Sequence, residues 1–533
     1  MKQEFKAEEA ELFFTTGTWE EVEISDTEKL FKPRYLHKNC DWQNVDQLKL
    51  EKLPFLYVKY VAHKIAFIEA QSGIVREVPV FYTYKSGKIL ISDSPDNFIK
   101  FMDNLKLNEL SVQEFLSFGY VTSDRTLLSG IHSIQAGESL RFDGERVKID
   151  PEYIYNITEI SSKPREFLFQ DFNKITESVF HELIKSLQGK KAIVPLSGGY
   201  DSRFIVSMLK MGGFDNVDCY AWGVKGDKEI EVSRSIAQKL GYKWQAIDYS
   251  KESWLKVTRS EWFRDCMRFV SKFTSIAGSA SLPFLDYMRN TAGHDDYVLL
   301  PGHAPVSRKV IAPNQDALES IFNTNFFGNS IDHRYGKDLI SEIGRQVKEY
   351  SSLLTDDYRS FELWNWRERQ SKFLVNSNRY YEFLDYSWNM PFWSVDYVDF
   401  WSAVPLEEKH DLKLYDDFLE SFVFKELDLQ YDLDRTRKSK QAKTFSIQYY
   451  LRLLRKYRLY RKLSLQIRSK IISNPYGFDY AFPELYNKIA TEFTEGFPKV
   501  EHYKKQFGIE KSHNPYAYLS QFTLAMLSED VEK

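Results

Sequence analysis

The sequence predicts an α/β protein: a β-rich N-terminal sandwich, then a doubly wound parallel sheet, then a largely helical C-terminal part. Three observations predict it. Between about Phe55 and Ile149, short runs of β-branched and aromatic residues are broken by glycine-bearing turns. From about Arg165 to Leu300, short apolar runs alternate with amphipathic helical stretches, the pattern of a parallel sheet covered on both faces. Beyond about Asn314 the chain reads as helical, with loops near Pro391 and Pro405. The chain has 533 residues. The expected division is 1–155 for the sandwich and 165–533 for the rest.

In order, strands are expected at Leu56–Val61, Val78–Tyr84 and Lys88–Ser92, the last two joined by a Ser86-Gly87 turn. A short helix is expected from Val112 to Phe118. Strands at Ser139–Phe142 and Arg146–Ile149 flank the turn Asp143-Gly144. A helix over Arg165–Leu187 has Phe172, Val179, Phe180 and Leu183 on one face and is expected to end at Lys190-Lys191. Then come strand Ala192–Leu196, helix Ser202–Lys210, strand Val217–Trp222, helix Glu229–Leu240, strand Lys243–Tyr249 and strand Tyr297–Leu300.

Composition narrows the function classes. The chain is 43% hydrophobic and 28% charged, with a net charge of -4, so no global electrostatic case for nucleic acid arises. Cys40, Cys219 and Cys266 are far apart, which argues against a disulfide framework or zinc site and for a reducing cytoplasm. Neither a signal-peptide pattern at Met1–Phe5 nor a membrane-length apolar run is present.

The segment richest in chemistry is Ser197-Gly198-Gly199-Tyr200-Asp201-Ser202, between an apolar strand and a helix. Open parallel sheets bind ligands beyond the carboxyl ends of their strands. Glycines let the backbone approach phosphate oxygens. The N–H groups and dipole of the following helix favour an anion. Ser197 and Ser202 add hydroxyls, and Asp201 suits a magnesium ion bridging the phosphates. The glycine spacing and ending are not those of a Walker A loop.

This string resembles the pyrophosphate loop of N-type ATP-pyrophosphatases, and Tyr220–Gly223, Glu229–Leu240 and Gly241–Trp244 resemble the asparagine-synthetase branch of that family. The resemblance implies ATP and Mg2+, with Ser197, Gly198, Gly199 and Ser202 around pyrophosphate, Asp201 on the metal, and the backbone of Ala221, Trp222 and Gly223 at adenine. Asn376–Glu382 and Met390–Ser394 resemble the family's acceptor segment. Tyr380 and Glu382 fall where relatives place acid–base groups; they read equally as a core aromatic and a surface carboxylate. Lys440, in the basic run Arg435–Gln441 with Arg437, corresponds to a lysine facing the α-phosphate. Phe81-Tyr82, Ile91–Ser94, Gly119-Tyr120, Arg125–Leu128 and Ala136–Glu138 resemble an N-terminal glutaminase-like (Ntn-hydrolase-like) domain.

Two positions depart from the family. Lys2 stands where glutamine-dependent relatives have a nucleophilic cysteine, so the first domain is expected to be degenerate and without glutaminase activity. At Leu300-Pro301-Gly302-His303-Ala304-Pro305-Val306-Ser307 no second carboxylate follows the glycine. The implied activity is AMP-forming ligation of a carboxylate, with a surface-polysaccharide sugar acid favoured, to ammonia or an amine. The alternative is a non-catalytic nucleotide-binding pseudoenzyme or partner protein. Residues 451–471, basic with an apolar stripe, read as a surface helix or as a contact for a membrane surface or carrier-linked substrate. A homodimer is one assembly open to the chain.

Overall fold

The structure, a computed structural model, describes residues 3–102, 104–155, 159–291, 296–305, 333–351, 357–430, 476–509 and 515–531. It is mixed α/β, with antiparallel sheets in the N-terminal part and a parallel sheet with helices later.

The N-terminal strands are β1 (Gln3–Lys6), β2 (Glu9–Phe13), β3 (Trp19–Ser25), β4 (Glu28–Pro33), β5 (Phe55–Val61), β6 (Lys64–Gln71), β7 (Phe81–Lys85), β8 (Lys88–Ser92), β9 (Ile131–Ser133), β10 (Glu138–Phe142) and β11 (Arg146–Pro151). They form a seven-stranded antiparallel sheet, β1-β11-β10-β6-β5-β4-β3, and a four-stranded sheet, β2-β8-β7-β9. In the second sheet only the β2–β8 pair is parallel. The sheets face each other across a core of Leu56, Val58, Ile68, Leu140, Phe142 and Val147 from one and Tyr82, Ile89 and Ile91 from the other. Helix α1 (Val45–Leu50) covers the outer face of the larger sheet through Leu48. Two more helices, α2 (Asp96–Ile99) and α3 (Glu109–Phe118), join the core on the far side of the smaller one.

Two expectations are corrected here. The strand expected from Val78 starts at Phe81, because Pro79 has no N–H for a ladder. The helix α3 begins at Glu109, where Asn108 accepts from the Ser111 N–H at 3.0 Å. The first four strands carry no counterpart in the sequence reading.

After α4 (Arg165–Ser186) the chain alternates β12 (Lys191–Pro195), α5 (Tyr200–Met211), β13 (Val217–Gly223), α6 (Lys228–Leu240) and β14 (Lys243–Asp248). It continues with α7 (Lys251–Arg259), α8 (Glu261–Ser271), α9 (Leu282–Thr291), β15 (Tyr297–Leu299) and β16 (Ser387–Trp388). The helix α4 stops before Lys190-Lys191, and Lys191 instead opens β12, its Nζ 3.1 Å from Asp218. All neighbouring pairs in the order β14-β13-β12-β15-β16 are parallel. Side chains of β12 alternate between two cores. Ala192 and Val194 meet Phe204, Ile205 and Leu209 of α5, while Ile193 joins Leu299 and the α7–α9 side. The sheet is therefore buried on both faces.

The two parts are stitched together. Tyr35 O accepts from Trp388 N at 2.8 Å, and Trp388 O accepts from His37 N at 2.9 Å, so the chain after β4 extends the β16 edge of the parallel sheet. One apolar core runs from Phe81 and Leu90 through α3 to α8, α9 and Trp388.

Candidate functional site

The parallel order places β12 beside β15, strands whose connections leave in opposite directions along the sheet. That is a topological switch point, where open sheets form a crevice. The turn Ser197–Gly199 lies just past β12 there, and α5 starts at Tyr200 with Gly199 as its N-cap. Ser197 is exposed; Gly199, Tyr200 and Asp201 are half-buried; Ser202 is buried. Solvent therefore reaches the turn.

Internal hydrogen bonds set its shape. Ser197 N donates to Ser202 Oγ at 3.0 Å, and Gly199 N donates to Ser197 Oγ at 3.1 Å. The buried Arg203 reaches back to Gly198 O at 2.9 Å and to Leu429 O at 3.1 Å. From below, Ser233 Oγ donates to Leu196 O at 2.7 Å and receives the Trp244 indole N–H at 2.8 Å. These bonds hold the turn in one conformation, the condition for an anion cradle at a helix N-terminus.

Asp201 projects from the first turn of α5, and Tyr415 Oη donates to its Oδ1 at 2.7 Å. Burial, with the Asp201 charge second, pushes the Tyr415 hydroxyl well above its ordinary range, so it stays a donor. The predicted adenine residues Ala221, Trp222 and Gly223 end β13, at the same sheet edge as the turn. The Trp222 ring stacks on Phe284 with centroids 4.5 Å apart.

The loop after β15 forms the other wall. A Cβ on Gly302 would lie 2.9 Å from Ser202 N, so this loop presses on the start of α5. Nε2 of His303 lies 2.7 Å from Gln370 Oε1, and its ring packs against Trp393 at 5.4 Å. Burial pushes the imidazole down to about 4, so it is neutral near pH 7. His303 is thus a hydrogen-bonding loop residue. Phe392, next to Trp393 in sequence, stacks on Phe204 of α5 at 5.2 Å. Asp296 stands at the opposite end of β15, where its carbonyl accepts from Lys191 N at 2.8 Å.

Other predicted positions land elsewhere. Tyr380 is fully buried, and its hydroxyl has no hydrogen-bond partner among the described residues. It is a core aromatic. Glu382 is not a surface carboxylate: it is buried, with Oε1 2.7 Å from Arg379 Nη1 and 3.0 Å from the Trp388 indole nitrogen. Burial raises its carboxyl above the ordinary range. It faces the N-terminal sandwich, beside Thr18, Tyr35 and Asp93. Lys440, Arg437 and the basic stretch 451–471 lie outside the described residues, as does Lys2. The Cys40 thiol is pushed up to about 12 by burial, which removes it as a nucleophile near neutral pH.

The roles of three residues escape the sequence reading. Tyr415 holds Asp201 from 214 positions away. Gly302 supplies the close approach, and Glu229 backs Gly198, whose Cβ would sit 3.4 Å from Glu229 Cα. Gly302 is legible as the glycine just past a strand, though its contact with α5 is not; no local signal pairs Tyr415 with Asp201.

Among the described residues no group of three or more His, Cys, Asp or Glu side chains is placed to hold a metal ion. No described helix is long and apolar enough to cross a membrane. The chain matches no protein-family model and no curated protein.

Proposed function

We propose that the chain is an ATP-dependent, amide-forming ligase of the asparagine-synthetase type, with its nucleotide held by Ser197–Ser202. The observation that carries this is the solvent-reached glycine turn at the switch point of the parallel sheet, running into the N-terminus of a twelve-residue helix. Such a turn suits a triphosphate. Ser197 and Ser202 would contribute hydroxyls and Gly198 and Gly199 a close backbone. The ends of β12 and β13 leave the Ala221–Gly223 backbone beside it for adenine. The two stacked N-terminal sheets are compatible with a glutaminase-like domain.

Magnesium commonly takes one or two carboxylates and completes its shell with substrate phosphates and water. Asp201, oriented by Tyr415, fits the one-carboxylate version, and the ion would supply charge neutralisation of the phosphates. In the proposed reaction a carboxylate oxygen attacks the α-phosphorus and pyrophosphate leaves. Ammonia or an amine then attacks the acyl carbon, loses a proton and expels AMP. A sugar acid is the proposed class of acid, and Lys440 the proposed cation at the α-phosphate.

A second reading is a nucleotide-binding pseudoenzyme. It is favoured by the loop after β15, where His303 is committed to Gln370 and supplies no carboxylate. Pyrophosphate release with ATP, magnesium and a panel of sugar acids and amino acids separates the two. Release that depends on one acid and vanishes in Asp201→Ala supports the ligase; ATP binding with no release for any acid supports the pseudoenzyme. Failure to bind ATP refutes both.

A further inference from the structure

The loop Pro301-Gly302-His303-Ala304-Pro305, which walls the phosphate turn, carries one polar side chain. Pro301 O accepts from His303 N at 2.8 Å, a three-residue turn that sets Gly302 at its tip, against the backbone of Ser202. Proline, glycine and alanine side chains form no hydrogen bonds, so any side-chain hydrogen bond that fixes this loop must come through His303. That bond goes to Gln370, with Nε2 2.7 Å from Oε1. An amide oxygen only accepts, so Nε2 is the donor.

Gln370 is only 2% exposed and belongs to a nine-residue π-helix, Trp366–Leu374. Such helices are rare and gather at functional sites. This one is pinned from within, where Ser371 Oγ donates to Trp366 O at 2.7 Å and Val375 N donates to Gln370 O. It is also pinned to the N-terminal part. Glu368 Oε2 accepts from Ser123 N at 3.0 Å and from Lys372 Nζ at 2.6 Å, Lys372 Nζ donates to Ser123 O, and Arg367 pairs with Glu138 of β10. Gln370 therefore reaches the loop from a support that is itself fixed, the condition for placing a partner accurately.

We infer that Gln370 is a positioning residue for the nucleotide turn: through His303 it holds Gly302 against the start of α5, and the N-terminal sandwich supplies its footing. The inference rests on the reading of Ser197–Ser202 as a phosphate turn and assigns Gln370 no contact with the ligand.

In the test, the full chain and its variants are titrated calorimetrically with ATP and with pyrophosphate, each with magnesium, and are unfolded in urea in parallel. Gln370→Met keeps the length of the side chain and removes the acceptor. It should weaken both ligands about 3- to 30-fold, the range for one lost hydrogen bond or one unmet polar group. His303→Phe keeps a ring against Trp393 and removes the donor. It should do the same, and it serves if the methionine variant does not fold. Because the role runs through one contact, the double variant should bind no more weakly than the weaker single one, whereas independent effects multiply. If the parent binds ATP and both single variants bind it equally well, Gln370 is merely structural whatever the urea midpoints show, and the inference fails. Multiplied losses in the double variant, or a loss for ATP with none for pyrophosphate, overturn it as well. A parent that binds neither ligand refutes the phosphate turn itself, and this inference with it.

Discussion

Replacing Gly302 with alanine puts a methyl group 2.9 Å from Ser202 N, 3.1 Å from Ser202 Cα and 3.3 Å from the Asp201 carbonyl carbon. All three neighbours are backbone atoms at the start of α5, so no side chain can swing away. Either the loop after β15 or the first turn of α5 must move. Overpacking of this kind costs about 1–3 kcal/mol. If the nucleotide binds where α5 begins, a comparable share should appear as lost ATP affinity, about 5- to 150-fold by the usual conversion. Calorimetric titration with ATP and magnesium measures the affinity, and urea unfolding measures the stability. Gly344, inside the helix His333–Ser351, is the control: a Cβ there meets nothing within 4 Å. Alanine there should leave ATP binding unchanged and add up to about 1 kcal/mol of stability. If Gly302→Ala binds ATP as the parent does while losing stability, the nucleotide does not sit against the start of α5, and the placement of the site fails.

Tyr415→Phe removes the hydroxyl that donates to Asp201 Oδ1 without changing the core shape; loss of such an orienting partner should weaken magnesium dependence or turnover about 10- to 100-fold, and a variant with unchanged magnesium response would show that the contact is purely structural. His303 is held neutral by burial, at about 4 against an ordinary 6.5, so the unfolded chain takes up a proton that the folded chain refuses. Its contribution is full above pH 6.5 and is lost as the pH falls toward 4, by at most about 3 kcal/mol. Urea unfolding at pH 7.5 and 4.5 should therefore show a shallower acid loss in His303→Asn; equal losses would exclude the imidazole as the source. Lys372→Met strands Glu368, whose Oε2 lies 2.6 Å from Lys372 Nζ with both side chains buried, and should cost about 3–5 kcal/mol in urea unfolding. A loss below about 1 kcal/mol would mean that the pair adds little net stability.

The turn at Ser197–Ser202 was legible because strand, glycines and helix are contiguous, and each carries its own local signal. What gives the turn its position was not. The switch point depends on β12 pairing with β15, Lys191 against Tyr297, and no short-range pattern announces that register. The first four strands were missed for a related reason. Trp19-Glu20-Glu21-Val22-Glu23-Ile24-Ser25 is acidic and mostly outside the core, and the strand partner of β1 is β11, at the other end of the N-terminal part. Val78–Val80 erred the other way, where an apolar run concealed a proline that cannot donate. Glu382 was readable as a surface carboxylate because sequence shows charge and not company. Arg379, one helical turn earlier, and Trp388, across a bend, are what bring it inside. The same two residues explain why the parts of this chain cannot be treated as independent. Trp388 bonds Glu382 through its ring and Tyr35 and His37 through its backbone, while Arg379 Nη2 donates to Glu77 O of the sandwich. A change on either side of this seam therefore alters the edge of the sheet whose central strand, β12, leads into the glycine turn.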